Sequence, residues 1–433
     1  MRPERDVEKS FATAPQDDGA NLLPKPGEKT SLLLPNSPAK PGAPEPFFDT
    51  HLLYQHPKTT SRPEVGASTV AAQEARDAKK TPDEPGKDGA ACEPVSKPPP
   101  DKDMTIDGAT RRKVIDSLAK DLKEHYIFPE RADEAINAIR KLESSGSYDR
   151  LTGAKDFSKQ LSGDLQLAAD DKHLQVRYRE KLDDPNKRGP SPEDLAARIK
   201  LQDCSNSGFH ATVLPGNIGY LKIDGFFDTK PGSDPKTAAM VKEAIAKEFA
   251  KVANTDALLI DNRENGGGDP HTVLQTLNHI LKPGTTVNTI QWREGSERRV
   301  EEFKTSNPED GISFGSDKPI YVLTSQKTFS GGEEFSYDLQ KLGRAKIVGE
   351  HTGGGANPGD GFTLQPHFDA FIPTGTSINP YSHSNWERKG VQPDVRVPSS
   401  RALDVARRMA LHDLINHSTG TKRQEFLQLL NER

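Results

Sequence analysis

The sequence predicts an α/β protein: a largely parallel sheet with helices on its faces, preceded by a small helical domain and a proline-rich tail. Three observations predict it. Short apolar runs of strand length recur at 218–223 (IGYLKI), 257–260 (ALLI), 320–323 (IYVL) and 345–348 (AKIV). Segments with helical spacing of apolar residues fall between them, and strands alternating with helices imply βαβ units. Half of the chain's 34 prolines lie in the first hundred of its 433 residues, where no apolar periodicity is sustained.

Residues 1–103 are expected to form a disordered tail, because so polar a segment buries too little apolar surface to offset its chain entropy. LLLP (32–35) and FFDTHLLY (47–54) are short apolar clusters within it. A helical domain follows over 104–180. Ile106, Val114, Ile115, Leu118 and Leu122 share one face of a first helix. Ala132, Ala135, Ile136 and Ile139 repeat the signal after Pro129 and close at Gly146. Leu151, Phe157, Leu161 and Leu165 make a third run ending near Ala169. Leu174, Val176 and Tyr178 then alternate with Gln175 and Arg177, the period of a half-buried strand, with His173 at its mouth. Residues 181–208 read as a polar linker holding one short helix at 195–201.

The α/β core occupies 209–433. After IGYLKI, a helix is expected over 235–252, with Ala238, Val241, Ile245 and Phe249 inward. ALLI is a continuous apolar run, as a strand buried on both faces requires. Helices are expected at 273–281 and at 333–342, the latter carrying Phe335, Leu339 and Leu342 on one face. A hairpin is read near 362–372. Helices from about Ser400, with Leu403, Ala406, Ala410 and Leu414, end the chain.

The net charge of −5, with both signs interspersed, gives no basic face for nucleic acid. Two cysteines, Cys92 and Cys204, support neither a disulfide framework nor a four-cysteine zinc site. No stretch has the length of a transmembrane helix. The N-terminus carries charge but no apolar run, so no signal peptide is visible and the cytoplasm is the default compartment. Export is expected instead if Met104 is the true start. Homo-oligomerisation stays open.

Candidate chemistry gathers at two glycine clusters that follow buried strands. Ser330 stands between a strand and a helix, beside Gly331 and Gly332. There, free N–H groups and the helix dipole stabilise negative charge next to a nucleophile. From this stretch alone the plainer reading is an N-cap serine closing a capping box with Glu333. Gly266, Gly267 and Gly268 match neither GxGxxG nor GxxxxGK[ST]. Their unobstructed N–H groups suit half of an oxyanion hole, with Gly331 the other half, or simply a tight turn. His173 is a candidate base among 12 histidines; His351, His367 and His383 lie downstream of the serine. Glu387 reads alone as a solvated loop charge, and Asp170 and Asp171 as caps of the turn before the strand. No pair of histidines brackets a glutamate at metallopeptidase spacing, so neither metal nor cofactor is expected.

The segments DKHLQVRY, GNIGYLKIDGF, LLIDNRENGGGDP, VLTSQKTFSGGEEFSYDLQ, IVGEHTGGGANPGD and INPYSHSNWERKGVQPDV, taken in that order, are familiar. The chain resembles the tail-specific (carboxy-terminal processing) serine peptidase family, in its branch with tricorn-protease-like cores and interphotoreceptor retinoid-binding-protein-like repeats. The resemblance runs from about Ile106 to Val397. It implies a ClpP/crotonase-like mixed sheet and hydrolysis of a peptide or protein substrate. It also implies Ser330 as nucleophile, His173 as general base and Glu387 as the distal carboxylate that orients the histidine through a small hydroxyl residue. Gly331 and Gly267 would hold the oxyanion, with Gly266, Gly268 and Thr328 lining the substrate site. Three departures stand out. The loop 351–356 lacks the lysine of the Ser–Lys branch, and Lys346 lies inside a strand. Lys172 occupies the position where the tricorn-like pattern carries its relay serine. The stretch between Tyr178 and Phe209 is too short for an inserted PDZ domain, so a substrate is expected to bind as an added strand near Ser330. The other reading is a non-catalytic binding protein for apolar small molecules or peptides on the same fold.

Overall fold

The computed structural model describes residues 102–180, 208–227 and 235–432. The tail, apart from its last two residues, and the linker 181–208, apart from Gly208, lie outside them, as do both cysteines.

Three helices open the described chain: α1 (Gly108–His125), α2 (Pro129–Ser144) and α3 (Ala154–Ala169). Asp107 caps α1 by accepting the Thr110 N–H at 2.7 Å. Pro129 starts α2 with a backbone that needs no N–H donor there. Helix α3 ends at Asp170 in the left-handed conformation (φ +50°), which turns the chain sharply into β1 (Gln175–Tyr178). Asp171, Lys172 and His173 ride on that turn.

The core begins with β2 (Phe209–Leu214), β3 (Ile218–Ile223), α4 (Pro235–Val252), β4 (Ala257–Asp261) and α5 (Pro270–Asn278). Then come β5 (Thr286–Glu294), β6 (Glu297–Lys304), β7 (Ile320–Thr324), α6 (Gly331–Lys341) and β8 (Lys346–Gly349). A second set of short strands follows: β9 (Gly359–Gln365), β10 (Phe368–Pro373), β11 (Gly375–Ile378) and β12 (Val395–Arg396). Helices α7 (Ser399–Asn416) and α8 (Gly420–Asn431) close the chain. The main sheet has the order β12-β8-β7-β4-β3-β2, parallel throughout except for the β2–β3 pair. This is the mixed α/β sheet expected.

Both faces of that sheet are covered, which is why its strands are continuously apolar. On β4, Leu258 and Ile260 face the side packed by Val241, Ile245 and Phe249 of α4 and Phe335 of α6. Ala257 and Leu259 face Ala402, Ala406 and Ala410 of α7 and Phe426 of α8. Each buried Leu or Ile contributes roughly 1.5–3 kcal/mol relative to exposure, so the two-sided burial dominates the core's stability. The loops leaving the carboxyl ends of β4, β7 and β8 converge on one edge, the usual place for a site in such a sheet.

The β5–β6 hairpin escaped the sequence reading. Its second strand is exposed over its first four residues and is mostly charged, so it carries no apolar signal. The strand β1 also has partners far along the chain. It pairs antiparallel with β10, Gln175 opposite Phe371 and Tyr178 opposite Phe368, and β10 pairs with β9. Phe368, Ala370 and Ile372 pack among Phe157, Leu161 and Leu165 of α3. Arg293 and Arg298 of the hairpin fasten the same region. They donate to the carbonyls of Tyr126 (2.6 Å) and Lys123 (3.0 Å), and of Ile127 (3.0 Å), capping the end of α1 with positive charge.

Candidate active site

Ser330 occupies the cap of α6 with φ +52° and ψ −123°. A non-glycine residue in that region is strained by roughly 1–3 kcal/mol, and such strain clusters at functional sites. Its backbone is over-determined. Phe329 N–H donates to Asn265 O (3.0 Å), and Glu333 and Glu334 N–H donate back to Ser330 O (2.8 and 2.9 Å). The Glu333 carboxylate accepts the Ser330 N–H at 3.0 Å, one half of a capping box. The hydroxyl points elsewhere: Ser330 Oγ lies 2.9 Å from His173 Nε2. Thus a serine from the α/β core and a histidine from the turn after α3 meet.

The glycine turn after β4 presses against this serine. A Cβ on Gly267 (φ +103°) would lie 2.6 Å from Ser330 Cβ and 2.8 Å from Gly331 N, so only glycine fits there. The Gly267 N–H donates to Asn265 Oδ1 at 2.8 Å, and is therefore occupied as the loop stands. Among the described residues no acceptor meets the N–H of Gly331 or of Gly268. Gly268 lies close by, its N 3.1 Å from where a Gly331 Cβ would sit. Gly266 and Gly268 are exposed. Thr328, by contrast, is fully buried. Its hydroxyl donates to Asn262 O (2.8 Å) and accepts Ser325 N–H (3.1 Å), which holds the turn and presents nothing to a substrate.

His173 is mostly buried, its ring 4.7 Å from that of Phe329 and 6.0 Å from that of Phe371. Burial lowers its pKa, partly offset by the charge of Asp171, so the imidazole is neutral near pH 7 and able to accept a proton. Its other nitrogen, Nδ1, is buried without a partner. Glu387 Oε1 is likewise buried and unpartnered, while Oε2 accepts the Ala356 N–H at 2.6 Å. Glu387 thus arrives beside the histidine. Lys172 does not relay between them, because its Nζ donates instead to Gly353 O at 2.5 Å. One ligand-type atom from each of Asp171, His173 and Glu387 lies within 4.8 Å of the others, a group that could share a cation, as could Asp121, Glu124 and His125 on α1.

Glu333 carries more than a cap. Besides Ser330 N–H it accepts Gly354 N–H (2.6 Å), Gly355 N–H (2.8 Å) and a short bond from the Thr352 hydroxyl. Burial pushes it up to about 7 despite these donors. One side chain thereby ties the loop after β8 to the start of α6. That loop needs its glycines: a Cβ on Gly355 would lie 2.4 Å from Phe329 Cζ and 2.6 Å from His173 Cε1. Sequence reasoning passed over Thr352, Asn357, Asn265 and Tyr126 and saw Asp171 only as a turn cap.

Comparison with known proteins places the chain in a family. Residues 217–397 match the model of peptidase family S41. Residues 109–215 match the N-terminal domain of peptidase S41 in eukaryotic IRBP. The two matches together span well over half of the chain, which belongs to peptidase family S41. Among solved structures it is similar to a lipoprotein from Streptococcus agalactiae (16% identity, 72% of this chain and 98% of that one, TM-score 0.45). It is also similar to the photosystem II D1 C-terminal processing protease (15% identity, 67% and 94%, TM-score 0.40). No helix among the described residues is long and apolar enough to cross a membrane.

Proposed function

We propose that this chain is a serine-type peptidase that cleaves peptide bonds through an acyl-enzyme on Ser330, with His173 as general base. One observation carries the reading: the 2.9 Å approach of His173 Nε2 to the hydroxyl of a strained serine at a helix N-terminus. His173 takes the Oγ proton as Oγ attacks the scissile carbonyl, then returns it to the leaving amine. A water attacks the acyl-enzyme by the same route and frees Ser330. The developing oxyanion is held by the N–H groups of Gly331 and Gly268, neither of which has another acceptor among the described residues. Gly267 can join them only if its N–H leaves Asn265. Removing one such donor typically costs about a hundred- to thousandfold in rate. Glu387 lies beside the imidazole, a carboxylate oxygen within 4.8 Å of one of its ring nitrogens. The exposed backbone of Gly266 and Gly268 supports a substrate lying extended along the glycine turn.

Labelling with a fluorophosphonate, read by intact mass, tests this. Wild type is expected to take one adduct, which Ser330→Ala abolishes and His173→Ala slows by roughly four orders of magnitude or more. A folded wild type that takes no adduct would replace the peptidase with a binding protein on the same fold.

A further inference from the structure

The small sheet β11-β5-β6 ends in β6, which has no neighbour on its outer side among the described residues. Arg293 N–H donates to Thr374 O at 2.8 Å, so the odd-numbered residues of this part of β5 turn their backbone groups toward β11. Arg293 lies opposite Arg298, Gln291 opposite Val300 and Thr289 opposite Glu302. Residues opposite each other in an antiparallel pair either exchange both backbone bonds or both turn away. The N–H and C=O groups of Arg298, Val300 and Glu302 therefore point out of the sheet edge. Among the described residues no acceptor meets these three N–H groups. Their side chains are exposed too, Val300 by 60%. An edge of this kind is a template for another strand.

The residues along that edge, Arg298-Arg299-Val300-Glu301-Glu302, reverse their charge about the centre. We propose that β6 is a dimerisation strand, pairing antiparallel with β6 of a second copy about a two-fold axis through Val300. An axis normal to the sheet keeps every side chain on its own face and makes the contact isologous, closed at two copies. Val300 then meets Val300 of the second copy. Arg299 falls opposite the second copy's Glu301 and Arg298 opposite its Glu302, and the axis repeats both pairs. Opposite charges facing across strands attract, and like charges repel. Moving the axis by one residue destroys the match. Through Arg299 it sets Arg299 against itself and Glu297 against Glu301; through Glu301 it sets Glu301 against itself and Arg298 against Lys304. The charges select one register.

Charged side chains also serve to keep an edge from pairing. A guard of that kind works by presenting one sign, which repels its own copy; this set presents both signs in mirrored order. The contacts these side chains make within the chain hold them at the edge. Arg299 is paired with Glu294 (2.7 Å) and Glu301 (3.3 Å). Glu301 also accepts Trp292 Nε1–H at 2.7 Å, which fixes it on the face of the hairpin that carries buried Phe303. On the other face Arg298 donates to Ile127 O (3.0 Å), and Glu302 accepts the Thr286 hydroxyl through Oε1 (3.0 Å). Exposed ion pairs contribute little strength each, so the backbone bonds and Val300 supply the attachment and the charges its register.

The test uses the full chain in sedimentation velocity over a range of concentrations, with melting temperatures to show that each variant is folded. Wild type is expected to pass from monomer to dimer as concentration rises. Arg298→Glu sets carboxylate against carboxylate, and Glu302→Arg sets guanidinium against guanidinium. Each variant alone is expected to dimerise about tenfold more weakly, or worse. Mixed in equal amounts, the two variants regain opposite charges in both pairs and should form a heterodimer as tight as the wild-type dimer. Val300→Pro removes an outward N–H, which an edge strand tolerates, and should stay monomeric where wild type is dimeric. A wild type that is monomeric at every concentration would overturn the proposal and leave the charges as a guard on the edge. So would a dimer that all three variants leave intact, or a loss that mixing does not restore. The readout needs no turnover, so this inference stands or falls apart from the peptidase reading.

Discussion

The two halves of the candidate site are built differently. Ser330 is set by contiguous chain: β7, the turn 325–330 and α6 follow one another, and the backbone bonds that strain the serine span few residues, apart from those to the glycine turn after β4. His173 is set by distant chain. Its strand β1 gains its sheet partner from β10, its turn is held through Asn357, and its ring rests on Phe329 and against Gly355. A serine can thus be placed by local chain while the histidine that meets it is delivered by tertiary pairing. The base side is where the site should be easiest to break.

On the base side, the largest effect expected of a single methyl group is at Gly355, where the two halves touch. Gly355→Ala would place a Cβ 2.6 Å from His173 Cε1, and displacing a catalytic group by about an ångström costs on the order of a hundredfold in rate. Labelling rate and melting temperature measured together check it. A normal rate would mean that this loop does not fix His173, and the contrast between the halves would fail.

On the serine side the expected effect is on stability and pH. Glu334, one residue along α6 from Glu333, is buried, bonded to Asn288 Nδ2 at 3.0 Å and pushed up to about 7, chiefly by burial. Its folded pKa thus lies above its ordinary 4.5. The folded state binds the proton more tightly, so this group's contribution to stability is fully present below about 4.5, declines as pH rises toward 7 and then levels off. Glu334→Gln removes its share of the decline. The loss of unfolding free energy between mildly acid and mildly alkaline pH should shrink by about 2 kcal/mol in denaturant titrations. A residual slope remains from Glu333 and from Asp338, which burial and Glu334 also raise. An unchanged slope would show that Glu334 is ionised in the fold.

The smallest effect is expected at Lys172, whose exposed side chain, among the described residues, donates to Gly353 O. Lys172→Ala should alter the labelling rate by less than about threefold, as surface polar contacts usually do. A loss beyond tenfold would place residue 172 in the proton path after all, and the base side would be wired differently from the description above.

Much of the fold was legible because its signals are local. The apolar runs at β3, β4, β7 and β8 announced strands, the unbroken one at β4 a strand covered on both faces, and the helix over Pro235–Val252 appeared where its periodicity put it. The hairpin β5–β6 did not, because a strand lying on the surface with charges on both sides has no burial pattern to display. For the site, the motif order led to Ser330, His173 and Glu387, yet gave no hint that Glu333 would tie three backbone N–H groups and a threonine together. The resemblance put Thr328 at the substrate site, but its hydroxyl is bonded inward to Asn262 O and Ser325 N–H.

By itself the sequence determined the α/β class, the parallel strands, the helical region ahead of them and the serine's place at a helix start. Each of these follows from apolar periodicity or from turn chemistry within one short segment. Tertiary structure alone decided that Nε2 of a histidine 157 residues away would stand 2.9 Å from that serine. It also decided that two carboxyl groups would flank the base with unequal donors, and that the Gly267 N–H would be taken up by Asn265. The physical reason is common to all three. Hydrogen-bond partners and burial are properties of what the folded chain brings together, and a charge or a proton is placed by those neighbours.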